Sequence, residues 1–196
     1  MGYLKENTMQ DDLKPQWSDG SEYVRENPTM GEHQAVCSQI HNIGHQLYQG
    51  KPSISPKVVI LFELDQKMAE GKFAGNQMLT SKEFAMYFGK DNDLRKFVSD
   101  WRGQPLTDDE AKDFSLSKLI GKPCTLIIVH NTGKNGKVYA NIAGIAKAKK
   151  DAPVVAVTHT DIPEWIEKKK AAQVAAPVKA GATISAPPPD DSDLPF

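Results

Sequence analysis

Lys57-Val58-Val59-Ile60-Leu61-Phe62-Glu63-Leu64 is the stretch on which the reading of the fold turns. It is too short for a typical helix and rich in β-branched residues, and it is apolar on both faces until Glu63. That combination makes it the clearest strand in the sequence. Upstream, His33-Gln34-Ala35-Val36-Cys37-Ser38-Gln39-Ile40 reads as a half-buried strand ended by Asn42 and Gly44, and Lys51-Pro52-Ser53 is turn chemistry. Downstream, residues 65–75 carry two glycines and several charges and read as an exposed loop. Residues 78–88 then alternate, with Phe84, Met86 and Phe88 on one side and Glu83, Ala85 and Tyr87 on the other.

The period changes at Asp91. Leu94, Phe97, Val98 and Trp101 fall at helical spacing with Asp91 available as N-cap. Thr107-Asp108-Asp109-Glu110 is a capping-box pattern, and Leu116, Leu119 and Ile120 suggest a further turn stopped by Gly121. Strand chemistry resumes over Cys124–His130, and Asn135-Gly136 predicts a hairpin into a return strand over residues 137–146. Residues 31–150 therefore read β-β-β-α-β-β. This mainly β order is that of an OB fold, a small, partly open five-stranded barrel that commonly binds oligonucleotides. The pattern also fits other small barrels with the same strand count.

The formal net charge of −1 conceals a segregation. Residues 1–30 hold 3 basic and 6 acidic side chains, whereas residues 31–150 hold 17 basic and 12 acidic. A basic body between acidic ends is expected of a protein that meets a polyanion. Residues 1–30 read as a flexible acidic arm in which Trp17 and Tyr23 are able to dock onto the body. No segment approaches the ~20 apolar residues of a membrane span, and no secretory or myristoylation signal opens the chain. Cys37 and Cys124 lie in apolar runs and read as buried free thiols of a reducing cytoplasm. The five histidines are scattered, so no metal site and no cofactor are expected.

After Lys150 the composition shifts. Val154–Val157 suggests one more edge strand, and residues 162–168 a short helix begun at Pro163. Residues 171–189, rich in Ala, Val and Pro, lack any core-forming period and read as a disordered linker. The sequence closes on Asp190-Asp191-Ser192-Asp193-Leu194-Pro195-Phe196. This resembles the acidic C-terminal tip of bacterial and phage single-stranded DNA-binding proteins, in which aspartates lead into an aliphatic residue, Pro and a terminal Phe. Ser192 interrupts the aspartates, and Leu194 stands where isoleucine is common. The resemblance implies that Asp190, Asp191, Asp193, Leu194, Pro195 and Phe196 recruit replication, recombination or repair proteins. A ring and an α-carboxylate suit a pocket with a basic rim, and the aspartates suit a basic surround. An ordinary solubilising tail is the competing explanation.

Single-strand binding needs cations for phosphates and aromatic faces for bases. The candidates are Lys57, Lys72, Lys82, Lys134, Lys137, Lys147, Lys149 and Lys150, with Phe73, Tyr87 and Tyr139 for stacking. Phe62, Phe84 and Trp101 lie on apolar stripes and read as core. No nucleotide-binding loop, paired acids beside a nucleophile or Ser-His-Asp arrangement is visible, so no enzymatic activity is expected. The sequence reading is a cytoplasmic protein, phage-encoded by its departure from the usual bacterial body, that coats single strands without sequence preference. It is compatible with a homo-oligomer. The alternative is an adaptor that carries a mimic of the tip without binding single strands.

Overall fold

The structure, a computed structural model, describes residues 26–71 and 73–177. The N-terminal arm before residue 26, Lys72, the linker from residue 178 and the acidic tip at 190–196 lie outside the described residues. The architecture is mainly β: a five-stranded antiparallel sheet with a few short helices. Its long strands are β1 (Gly31–Gly44), β4 (Lys57–Lys67), β5 (Gln77–Ala85), β6 (Pro123–Thr132) and β7 (Val138–Lys147). They lie in the order β5-β4-β1-β6-β7, and the two-residue strands β2 (Leu47–Tyr48) and β3 (Lys51–Pro52) pair separately. Helices α1 (Asp93–Arg102) and α2 (Asp108–Asp113), with a 3₁₀ turn at Leu116–Leu119, lie between β5 and β6, and α3 (Glu164–Ala171) follows β7.

β1 is the central strand. It pairs with β4 through Cys37↔Phe62 and His41↔Val59, and with β6 through His33↔Leu126. One face of the sheet points Cys37, Ile60, Phe62, Leu126, Ile128 and Ile142 into the main core. Amphipathic α1 covers that core with Leu94, Phe97, Val98 and Trp101, as its spacing requires. Trp101 lies 5.5 Å from the Phe62 ring, and its indole N–H donates to the Pro123 carbonyl at 3.0 Å. Phe62, Phe84 and Trp101 are all buried, as expected of core aromatics. Cys37 and Cys124 are buried free thiols, and burial pushes Cys37 up to about 12 and raises Cys124 as well.

No backbone ladder joins the edge strands β5 and β7 among the described residues, so the sheet is not a closed barrel. The Lys82 ammonium nevertheless crosses from β5 to donate to the Ile142 carbonyl of β7 at 2.7 Å. Among the described residues, no helix is long and apolar enough to cross a membrane.

Several expectations need correction. The third long strand ends at Ala85, not residue 88: the Met86 N–H turns to the Pro56 carbonyl and that of Tyr87 to the Ala85 carbonyl. Asn92, not Asp91, caps α1, its Oδ1 accepting from the N–H of Leu94 at 2.9 Å. Residues 154–157 form no strand, and Val154 is 89% exposed. The neighbouring backbone is held instead by a side chain, Glu63. The body also reaches further in both directions than the composition suggests. Asn27 donates to the Val138 carbonyl and the Thr29 N–H to Gln66, while Val174 bridges to His45.

The capping box at Thr107 forms as read, with Glu110 reaching back to the Thr107 N–H. Gly121 closes the 3₁₀ turn at φ 76°, and Gly136 turns the β6–β7 hairpin at φ 75°.

Candidate nucleic-acid interface

The outward face of the sheet divides into a covered part and an open part. Over β4 and β1, residues after β7 return as a strap. Ile166 of α3 packs on Ile43, Val59 and Leu61, and all four are buried. Glu63, also on the outward side of β4, is 0% exposed. Its carboxylate accepts from the Thr158 N–H at 2.8 Å, the Thr158 hydroxyl at 2.6 Å and the His159 N–H at 2.9 Å. His159 Nδ1 lies 3.1 Å away. Burial pushes the Glu63 carboxyl up, but these hydrogen bonds outweigh it and hold it below its ordinary value. Lys169 adds an ion pair to Glu83 of β5. The strap thus occupies one half of the face that a ligand would otherwise meet.

The β6–β7 hairpin is the open half. Ile127 and Tyr139 are 43% and 46% exposed. Along β7, Asn141 and Ala146 are exposed and Gly144 is half-buried, so the surface is low. Between Asp113 and Asp151 the chain contains seven lysines and no acidic residue. Two of them, Lys134 and Lys137, stand exposed at the turn beside Tyr139, whose hydroxyl accepts from Asn135 at 2.8 Å. Lys147, Lys149 and Lys150 stand exposed where β7 ends. Lys149 is paired with Glu32, whereas Lys147 and Lys150 have no carboxylate partner among the described residues. Over its ten residues β7 spans about 30 Å between these two cationic groups.

The remaining candidates do not join this track equally. Phe73 lies in the β4–β5 loop, at the same end of the sheet as the hairpin turn, in a groove with Met68 and Met78. Lys57 and Tyr87 sit at the opposite end, Tyr87 lining a separate groove with Met86 and Phe88. The Lys82 ammonium is engaged, bonded to Ile142 and lying 5.8 Å and 5.7 Å from the centres of the Phe84 and Phe97 rings.

Two lysines escaped the sequence reading. Lys118 on the 3₁₀ turn and Lys122 before β6 line one groove of about 540 Å³ with Lys147, Lys149 and Lys150. The acid-free run from residue 114 to 150 was the available signal, and it is visible only when charge is counted continuously across helix and hairpin. No family model matches the chain, and no curated relative matches it either.

Proposed function

We propose that this protein binds single-stranded DNA without sequence preference, laying the strand along the open β6–β7 hairpin. The observation that carries the reading is the acid-free cationic track. Seven lysines fall in a run of sequence, residues 114–150, that contains no acidic residue, and five of them, Lys134, Lys137, Lys147, Lys149 and Lys150, stand exposed at the two ends of β7. Phosphates spaced along a strand meet cations at both ends of β7, and exposed Tyr139 offers a base a ring face at the turn. A low, small-residue surface between them lets a backbone pass closely. Reading the sheet as an OB-like, partly open barrel belongs to the same proposal. It is supported by the strand order, by the helices between the third and fourth long strands, and by the Lys82 bridge between the edges.

The acidic segment 190–196 completes the proposal as a recruitment site for replication, recombination or repair proteins. Phe196 supplies the apolar anchor and the aspartates steer it to a basic partner surface. Phe196→Ala should abolish partner recovery from a bacterial replication extract without changing net charge; equal recovery would leave the segment a solubilising tail.

Titration of the full chain with fluorescently labelled oligo-dT and with duplex DNA at two salt concentrations tests the main reading. Affinity for the single strand should fall steeply with salt, with a log–log slope near −0.7 per phosphate neutralised. Salt-independent binding, or a tenfold preference for duplex, contradicts it.

A further inference from the structure

The groove at the foot of β7 combines two properties that neither a solvated lysine cluster nor a packing defect explains. Its floor is apolar: Trp101 and Leu119 are buried, Phe114 is half-buried, and Pro123 edges it. Its rim is cationic. Arg102 is committed to Glu110, whose carboxyl it holds down at about 2, and Lys149 to Glu32. Lys118, Lys122, Lys147 and Lys150 have no carboxylate partner among the described residues. A ligand with an anionic backbone and flat apolar groups satisfies both, because its charges meet the rim while its rings displace water from the floor.

We propose that this groove is a nucleotide subsite, in which Lys118 and Lys122 hold phosphates and the floor beside Phe114 receives a base. The inference rests on the single-strand reading above and deepens it. The occupant is a continuation of the strand on β7, because Lys147 and Lys150 belong both to the end of that track and to the rim of the groove. The strand therefore turns off the sheet and onto the helical side of the molecule. An acidic apolar peptide, such as the chain's own residues 190–196, would meet the same cations but has no need of the track leading in.

The test uses the full chain, a labelled 16-nucleotide oligo-dT and the double variant Lys118→Ala/Lys122→Ala. Loss of two phosphate contacts should weaken binding about tenfold and flatten the log–log salt slope by about 1.4. Lys118→Arg/Lys122→Arg should restore both, which separates lost charge from lost folding. An oligomer carrying 5-iodouridine should photo-crosslink at Phe114. Unchanged affinity and slope in the alanine variant, with no crosslink on α2 or the 3₁₀ turn, would overturn the subsite while leaving single-strand binding intact. No binding by the wild type would instead remove the single-strand reading itself. If the variant loses affinity for a labelled Asp-Asp-Ser-Asp-Leu-Pro-Phe peptide but not for oligo-dT, the groove serves the acidic segment and the proposal fails.

Discussion

The two halves of one sheet face differ in what lies over them. On β4, the outward residues Val59, Leu61 and Glu63 are as buried as the inward ones, because the strap through Thr158 and Ile166 lies over them. On β6 and β7, the outward residues Ile127 and Tyr139 stay exposed and the surrounding chain carries lysines without acids. Antiparallel pairing alone would leave both halves half-buried. What differs is the cover, and the cover decides which half is free to meet a ligand. A carboxylate is tolerated at Glu63 only because the strap brings donors to it.

Substitutions in the shared core, in the strap and on the open hairpin should separate the two halves. The largest effect should come from the core that both halves share. Trp101→Ala removes a buried aromatic and should destabilise the whole domain by about 3–5 kcal/mol, read by chemical denaturation. A variant that folds with unchanged stability but fails to bind would show that Trp101 serves the ligand and not the core.

Next comes the strap. Glu63→Ala leaves the part-buried N–H groups of Thr158 and His159 without their acceptor and should cost about 1–3 kcal/mol, with oligo-dT affinity unchanged. Acid should act on the same contact. The Glu63 carboxyl lies lower in the folded protein than its ordinary value of 4.5. Its contribution is therefore fully present above that value and disappears as pH falls through the lower, folded one. Wild-type thermal stability should decline across that acidic window more steeply than that of Glu63→Gln, and equal declines would deny the carboxylate this role. Smallest in its effect on stability is Tyr139→Ala, which should leave the melting temperature within a degree or two while weakening oligo-dT binding by ~1–3 kcal/mol. Tyr87→Ala, at the other end of the sheet, should do much less; a larger loss there would move the strand off the hairpin.

Most of the fold was legible because its signals are local. The five long strands, the α1 stripe and the Thr107 capping box each sit within 14 residues of sequence or fewer. The corrections arise where several residues could do one job or where the deciding partner is remote. Asp91, Asn92 and Asp93 are all able to cap, and only the backbone path selects Asn92. Val154–Val157 has strand composition, but the backbone that follows it finds its acceptor on a side chain 95 residues away. Glu63 reads as the end of an apolar run because its donors come from the far end of the body. Among the candidate cations, residue type singled out the lysines at both ends of β7 but not Lys118 and Lys122, which the turn of the chain around α2 brings beside Lys147, Lys149 and Lys150. Lys82 shows the converse: a strand lysine suited to phosphate is spent on the Ile142 carbonyl.

Amide hydrogen exchange of the full chain, with and without saturating oligo-dT at low salt, tests the division of the face most directly. New protection is expected at the β6–β7 turn, along β7 and at residues 147–150, with exchange in the strap over residues 158–171 unchanged. Protection concentrated on the strap and β4, with the hairpin exchanging as freely as before, would contradict it.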